Sequence, residues 1–209
     1  MSIRTRQQRS ATSRRAVVSA ARQLFGQQGY DGTSLVDIAA AASLTTGALY
    51  HHWRGKRDLF GAVVEDVHRD LALRVARLRR TGQPPLDQLL AASRVYLRQC
   101  AEPEVARILL IDGPAVLGVR EWQEVDQRWW LAPTRGLLER AAAEQVLVDG
   151  DPGLLALALL GALTALGRAV ASDQAGLRRA ESALTGLLAG LAASPRRTGP
   201  DRPPGPTRR

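Results

Sequence analysis

From Val17 to Leu191 the apolar positions of this chain recur at spacings of three and four, the period of an amphipathic helix. Val17, Ala20, Ala21, Leu24 and Phe25 predict a first helix, capped by Thr12 or Ser13 and running to about Gln28. Gly29 takes the position just past its end. Tyr30 to Thr33 forms a turn. Leu35, Ile38, Ala39 and Ala42 then mark the inner face of a short helix, N-capped by Ser34 with Asp37 in its first turn. Ser43-Leu44 is a second turn. Thr45 caps a third short helix, to about Trp53, with Leu49 and Trp53 facing the core. Two short helices across a tight turn make a helix-turn-helix. A long helix follows from Lys56 to about Arg80. Its stripe (Leu59, Val63, Val67, Leu71, Val75, Leu78) drifts around the axis, so it can meet one core first and a second later. Thr81-Gly-Gln-Pro-Pro85 stops it.

The second half reads the same way. Leu86 to about Ala101 is a helix with Leu89, Leu90, Ser93, Tyr96, Leu97 and Cys100 on one side. Glu102-Pro103 interrupts, Val105 to Ile111 is strongly apolar, and Asp112 to Gly118 breaks and restarts the helix. Val119 to about Val146 carries Trp122, Val125, Trp129, Trp130, Leu137, Leu138 and Ala141. Pro133 is expected to kink or divide it. Asp149 to Gly153 caps the next helix, Leu154 to about Ala171, which is apolar almost all round. A membrane span is the rival reading. The run before Arg168 falls short of the ~18 apolar residues a span needs, so a helix buried on all sides is expected instead. The last helix, from Gln174 or Ala175 to Ala193, has Leu177, Ala180, Leu184, Leu187, Leu188 and Leu191 as its stripe. The fold expected is all-α, with about nine or ten helices. Met1 to Ala11 is polar and basic, expected to be disordered: a solvated tail, or an arm for phosphates or a minor groove. Ser194 to Arg209, rich in Pro, Gly and Arg, is expected to be disordered too.

Composition sharpens the picture. The 209 residues, 45% hydrophobic and 23% charged, suit one or two ordinary globular domains. The net charge of +9 favours a polyanionic partner, and its placement matters more than its size. Up to Arg57 the cations are Arg4, Arg6, Arg9, Arg14, Arg15, Arg22, Arg54, Lys56 and Arg57, against Asp31 and Asp37, a net of +7. Lys56 is the only lysine, so arginine bias explains the residue type but not the location. Cys100 is alone, which fits a reducing compartment, and the polar N-terminus lacks the apolar segment of a signal peptide. A cytoplasmic protein is expected. His51 and His52 are adjacent and point apart on a helix, and with His68 and Cys100 they lack metal-ligand spacing. No nucleophilic constellation and no phosphate loop is visible, so neither an enzyme, a metal nor a cofactor is expected.

The stretch from Ala16 to Leu59 resembles the DNA-binding region of the TetR family of bacterial transcriptional regulators. The resemblance rests on Ala20-Ala-Arg-Gln-Leu-Phe25, Gly29-Tyr-Asp-Gly-Thr-Ser34, Ile38-Ala39 and Gly47-Ala-Leu-Tyr-His-His-Trp-Arg-Gly-Lys-Arg-Asp-Leu-Phe60. Arg57 stands where that family commonly has an acidic residue. The resemblance implies a helix-turn-helix domain over residues 12–55 and a helical regulatory and dimerisation domain over 56–193, between the terminal segments 1–11 and 194–209. It places Tyr50, His52 and Lys56 on the DNA backbone. Thr45, Thr46, Gly47 and Ala48 take base-reading positions, helped by His51, Val36 and DNA shape. Thr33 and Ser34 can offer a hydroxyl or N–H to a phosphate.

In the second domain the family pattern implies a small-molecule pocket. Trp122, Trp129, Trp130 and Tyr96 are the aromatic candidates, and Ile108, Ile111, Val116 and Leu117 the apolar wall, although each can equally be core. Asp112 can bind a cationic ligand group or cap the helix that Pro114 begins, the cap being the stronger reading. The last two helices are expected to pair with their twins in a homodimer through Leu157, Gly161, Ala165, Leu184, Leu187, Leu188 and Leu191. Two recognition helices would then sit about 34–36 Å apart on operator DNA. The function implied is a repressor released by a small hydrophobic or aromatic ligand. The alternative is a DNA-binding regulator without an effector, or an activator.

Overall fold

The computed structural model describes residues 3–78 and 82–192, with the side chains of residues 3–10 and of Gln174 outside that description. The C-terminal segment expected to be disordered lies outside the described residues. Among the described residues ten α-helices follow one another: α1 (Ile3–Gln28), α2 (Leu35–Ala41), α3 (Thr46–Tyr50), α4 (Lys56–Ala76), α5 (Pro85–Cys100), α6 (Pro103–Ala106), α7 (Gly113–Leu117), α8 (Val119–Ala143), α9 (Pro152–Ser172) and α10 (Leu177–Leu191). Among the described residues there is no strand, only an isolated bridge between Leu147 and Ala192. The protein is all-α.

Four expectations need correction. First, α1 begins at Ile3, through the segment expected to be a disordered arm. Residues 3–25 hold no proline or glycine, and their Arg, Gln and Ala are good helix formers, so nothing stops the helix running outward. Second, of the two outcomes expected at Pro133, division does not occur: α8 runs from Val119 to Ala143 with the proline inside it. Third, α6 does not break at Asp112. A π-helical stretch, Arg107–Asp112, carries it into α7, and the break comes at Gly118, whose φ of 79° is left-handed. Gly113 makes this stretch possible: a Cβ there would lie 2.9 Å from both the Ile108 carbonyl and Trp122. The buried Trp122 indole N–H in turn donates to the Leu109 carbonyl at 2.7 Å. Fourth, α9 is long and apolar enough to cross a membrane by length and composition, and it is not buried all round. Ala156, Leu159, Leu163, Gly167 and Val170 point inward, while Leu154, Leu157, Ala158, Gly161 and Ala165 are exposed.

Two apolar cores result. The first runs without a break from α1–α3 through α4 into α6–α8, across the boundary expected near residue 55. At its centre Phe60 meets Phe25 edge-on at 5.1 Å and Tyr30 at 5.3 Å. Arg22 fastens the same junction. Its guanidinium bonds Asp66 and Asp70 on α4 and reaches Glu104 on α6 at 2.7 Å. The second core joins α5, the far half of α8, α9 and α10.

Phe60 is fully buried, so Phe60→Ala should cost about 3–5 kcal/mol of stability, read as a lower midpoint in urea denaturation. A change below about 1 kcal/mol would show that this aromatic junction does not hold the two parts together.

Candidate nucleic-acid interface and cavity

The helix-turn-helix is built by its caps. Ser34 accepts from the Asp37 N–H at 3.1 Å while the Asp37 carboxylate accepts from the Ser34 N–H at 3.2 Å, a complete capping box. Ser43 takes a left-handed φ of 56°, which turns the chain sharply, and Thr45 caps α3 by accepting from the Ala48 N–H at 3.3 Å. Leu49 and Trp53 are buried, as expected. The outer face then carries Val36 and Tyr50, 65% and 58% exposed, with Thr45, Gly47 and His51 exposed and Thr46, Ala48 and His52 half-buried. A Cβ at Gly47 would meet only the Thr45 hydroxyl, at 3.9 Å, so no packing inside the protein requires a glycine there.

Two of the expected phosphate contacts are committed elsewhere. Thr33 is buried, and its hydroxyl donates to the Gly29 carbonyl at 2.8 Å. Lys56 does not project freely: its ammonium donates to the Tyr30 and Thr33 carbonyls at 2.9 and 3.1 Å and sits 4.2 Å over the Tyr30 ring. That leaves one of its three donors. The N-terminus of α4 itself has no side-chain cap. Arg57, the departure from the family pattern, has a local job. It donates to the Val116 and Leu117 carbonyls at 3.2 and 3.0 Å and pairs with Glu121 at 2.6 Å.

Asp112 also serves this junction. Its carboxylate makes no cap hydrogen bond to α7 and does not line the cavity described below; it accepts the Tyr30 N–H at 2.8 Å. Both readings of Asp112 are therefore replaced by a tie between α7 and the turn before α2. The physical reason is the π-helical stretch, which points this residue back toward α1.

A cavity of about 230 Å³ lies between α4, α5, α8 and α9. Tyr96, Trp129 and Trp130 line it, as expected. The other predicted wall residues do not. Ile108, Leu117 and Trp122 are buried in the first core, Val116 packs against it, and Ile111 is 59% exposed. The cavity sits one helical turn further along α8, on the face of Asp126, Trp129/Trp130, Pro133 and Leu137. Asp126 is absent from the residues that sequence reasoning singles out. A carboxylate at helical spacing within a tryptophan-bearing apolar face was the available signal. Burial pushes its carboxyl up to about 6. Burial raises the Tyr96 phenol well above its ordinary range, and it likewise pushes the Cys100 thiol up to about 12. Gly167 makes room for Tyr96: a Cβ there would lie 3.2 Å from the Tyr96 hydroxyl.

The cavity wall is wired to α4. The Trp129 indole N–H donates to Glu65 at 2.6 Å and that of Trp130 to His68 Nδ1 at 3.0 Å. An accepting Nδ1 puts the His68 proton on Nε2, which has no partner, and burial lowers this imidazole to about 4.

The predicted dimer residues divide. Leu184 and Leu188 are buried in their own protomer's second core and Leu191 packs against it, so these are corrected. Leu157, Gly161, Ala165 and Leu187 are exposed, Leu187 by 49%. With Ala183, Gly186 and Gly190 they form an open face on α9 and α10, and a Cβ at Gly161, Gly186 or Gly190 would meet nothing within 4 Å.

Comparison with known proteins agrees with this architecture. Residues 17–63 match the family of bacterial regulatory proteins, tetR family, and residues 86–191 match the tetracyclin repressor-like C-terminal domain. The HTH-type transcriptional repressor Rv1474c of Mycobacterium tuberculosis is 28% identical over 139 residues, 66% of this chain and 72% of that protein. The HTH-type regulator AcrR of Shigella flexneri is 43% identical over 65 residues, so the chain spans only 30% of that relative's length. Among solved structures, a TetR-family regulator from Pectobacterium atrosepticum superposes with a TM-score of 0.77 at 32% identity, covering 94% of this chain and all of that one. A SmeT–triclosan complex superposes at 0.69 with 25% identity, over 93% of this chain and all of that one. Matched over both its helix-turn-helix and its C-terminal half, this chain belongs to the TetR family of bacterial transcriptional regulators.

Proposed function

We propose that the protein is a homodimeric cytoplasmic repressor that grips operator DNA with two copies of α3 and is released by a small molecule in the α4/α5/α8/α9 cavity. The observation that carries this reading is the outer face of α3. Small and hydroxyl-bearing residues there are held out by two side-chain caps, and Gly47 leaves open space that only a closely approaching partner would use. The cationic first quarter of the chain supplies the field that draws a polyanion. Tyr50 and His52 then meet the backbone, Thr45, Thr46, Gly47 and Ala48 the base edges, and the uncapped start of α4, with the third donor of Lys56, a phosphate.

The open face of α9 and α10 supports the dimer: it is apolar, built of small residues, and not used by the protomer. The cavity supports the effector. Its two tryptophans hydrogen-bond α4, and α4 begins at the lysine that clamps the turn before the helix-turn-helix. A ligand that prefers one setting of α4 shifts the population toward it and changes the spacing of the two α3 helices. The SmeT–triclosan relative is in keeping with a small-molecule effector.

Three results are expected. A duplex from upstream of the protein's own gene binds in fluorescence anisotropy with an affinity that falls steeply with salt, and no preference over random duplex would sink the reading. Tyr50→Ala leaves stability within ~0.5 kcal/mol, because the residue is exposed, and weakens operator binding by about tenfold with little change in salt slope. Unchanged affinity removes Tyr50 from the interface. Leu187→Arg gives a folded monomer in sedimentation velocity, whereas Leu184→Arg unfolds the protomer by placing a charge in its core. A Leu187→Arg protein that still sediments as a dimer moves the seam elsewhere.

A further inference from the structure

The chemistry of the cavity narrows the class of its occupant, on the reading that it is the effector site. Its wall is mostly apolar or aromatic, with the hydroxyls of Ser93, Tyr96, Thr134 and Thr164, and Asp126 is the only charged side chain among the described residues that line it. Asp126 has no hydrogen bond or ion pair with any described residue. The hydroxyls of Ser93, Tyr96, Thr134 and Thr164 line the same cavity, and none of them is hydrogen-bonded to Asp126. The two tryptophans beside it commit their N–H groups to Glu65 and His68 on α4, so they line the cavity without donating to the carboxylate.

A half-buried ionised carboxylate facing a mostly apolar cavity gains from an occupant that brings both positive charge and N–H donors. We propose that the cavity selects a small amine, whose ammonium pairs with Asp126 while its apolar or aromatic body lies against Trp129 and Trp130. The indole faces add to the attraction for the cation. A neutral occupant leaves the carboxylate unanswered, and an anionic one is repelled. The volume of about 230 Å³ is below the roughly 300–1,000 Å³ of drug-sized sites, so the amine is small. Burial raises the Asp126 carboxyl, and an ammonium beside it would favour the ionised form again.

The test is calorimetric titration of the full-length protein with 4-phenylbutylamine and with its neutral counterpart 4-phenylbutanol. The amine should bind at least about tenfold tighter, the worth of one charge-assisted contact. Asp126→Asn should bring that ratio close to one by weakening the amine alone, in a protein whose melting temperature is no lower than the parent's. Equal affinities in the parent, a preference that survives Asp126→Asn, or failure of both compounds to bind at millimolar concentration would each overturn the amine class. Operator binding measured in the same samples separates this from the effector reading. If the alcohol binds equally well and releases DNA, the effector site stands and the amine class falls. If the amine binds with its full preference and DNA affinity is unchanged, the amine class stands and the effector reading falls.

Discussion

The Lys56 ammonium closes the turn on which the outer helices depend. Residues Tyr30 to Thr33 connect α1 to α2 through a tight bend, in which the Thr33 N–H donates to the Tyr30 carbonyl at 3.3 Å. Lys56 takes the Tyr30 and Thr33 carbonyls and stacks over the Tyr30 ring. Asp112 takes the Tyr30 N–H from the other side. The bend is therefore held at once by the first residue of α4 and by the end of the π-helical stretch. Because α4 also carries Phe60 and the two acids that hold Arg22, the helix-turn-helix and the regulatory helices share one apolar core. On the proposed mechanism, this shared core would carry a change beside α4 to α3, since packed interiors move between discrete arrangements and do not deform smoothly.

Much of this fold is legible in the sequence, and the failures have physical causes. The helical period marks nearly every element, because apolar residues recur at spacings of three and four; α9, apolar almost all round, is the exception. Caps at Ser34, Thr45 and Asp151 are readable because their side-chain chemistry is local. Lys56 and Thr33 look outward-facing in sequence, which shows a cation and a hydroxyl but not the carbonyls that long-range folding brings to them. Sequence also places the cavity one turn too early on α8. The same apolar spacing serves core and cavity alike, and only the packing of α4, α5 and α9 decides which turn is left unfilled. Asp126 breaks the apolar pattern of its face, and that discord is the clue.

The α10 face shows a different limit. Leu184, Leu187 and Leu188 are alike in sequence, yet two fill the protomer's own core and one stands outside it. Hydrophobicity alone points to the more strongly apolar side. The outer side is made of alanine and glycine, which look neutral to any scale, and its meaning comes from emptiness next to those glycines. Small residues matter to association by letting backbones approach, a property visible only once the surface exists.

Pro133 lies within α8 and in the cavity wall at the same time. A proline has no N–H to return to the carbonyl four residues earlier, which here belongs to Trp129. Upstream of that missing rung, α8 is rooted in the first core by Trp122 and Val125; downstream, Leu138 and Ala141 root it in the second. The helix is thus most compliant at the level where an occupant would press, between two anchored ends, like a rod notched beside its load.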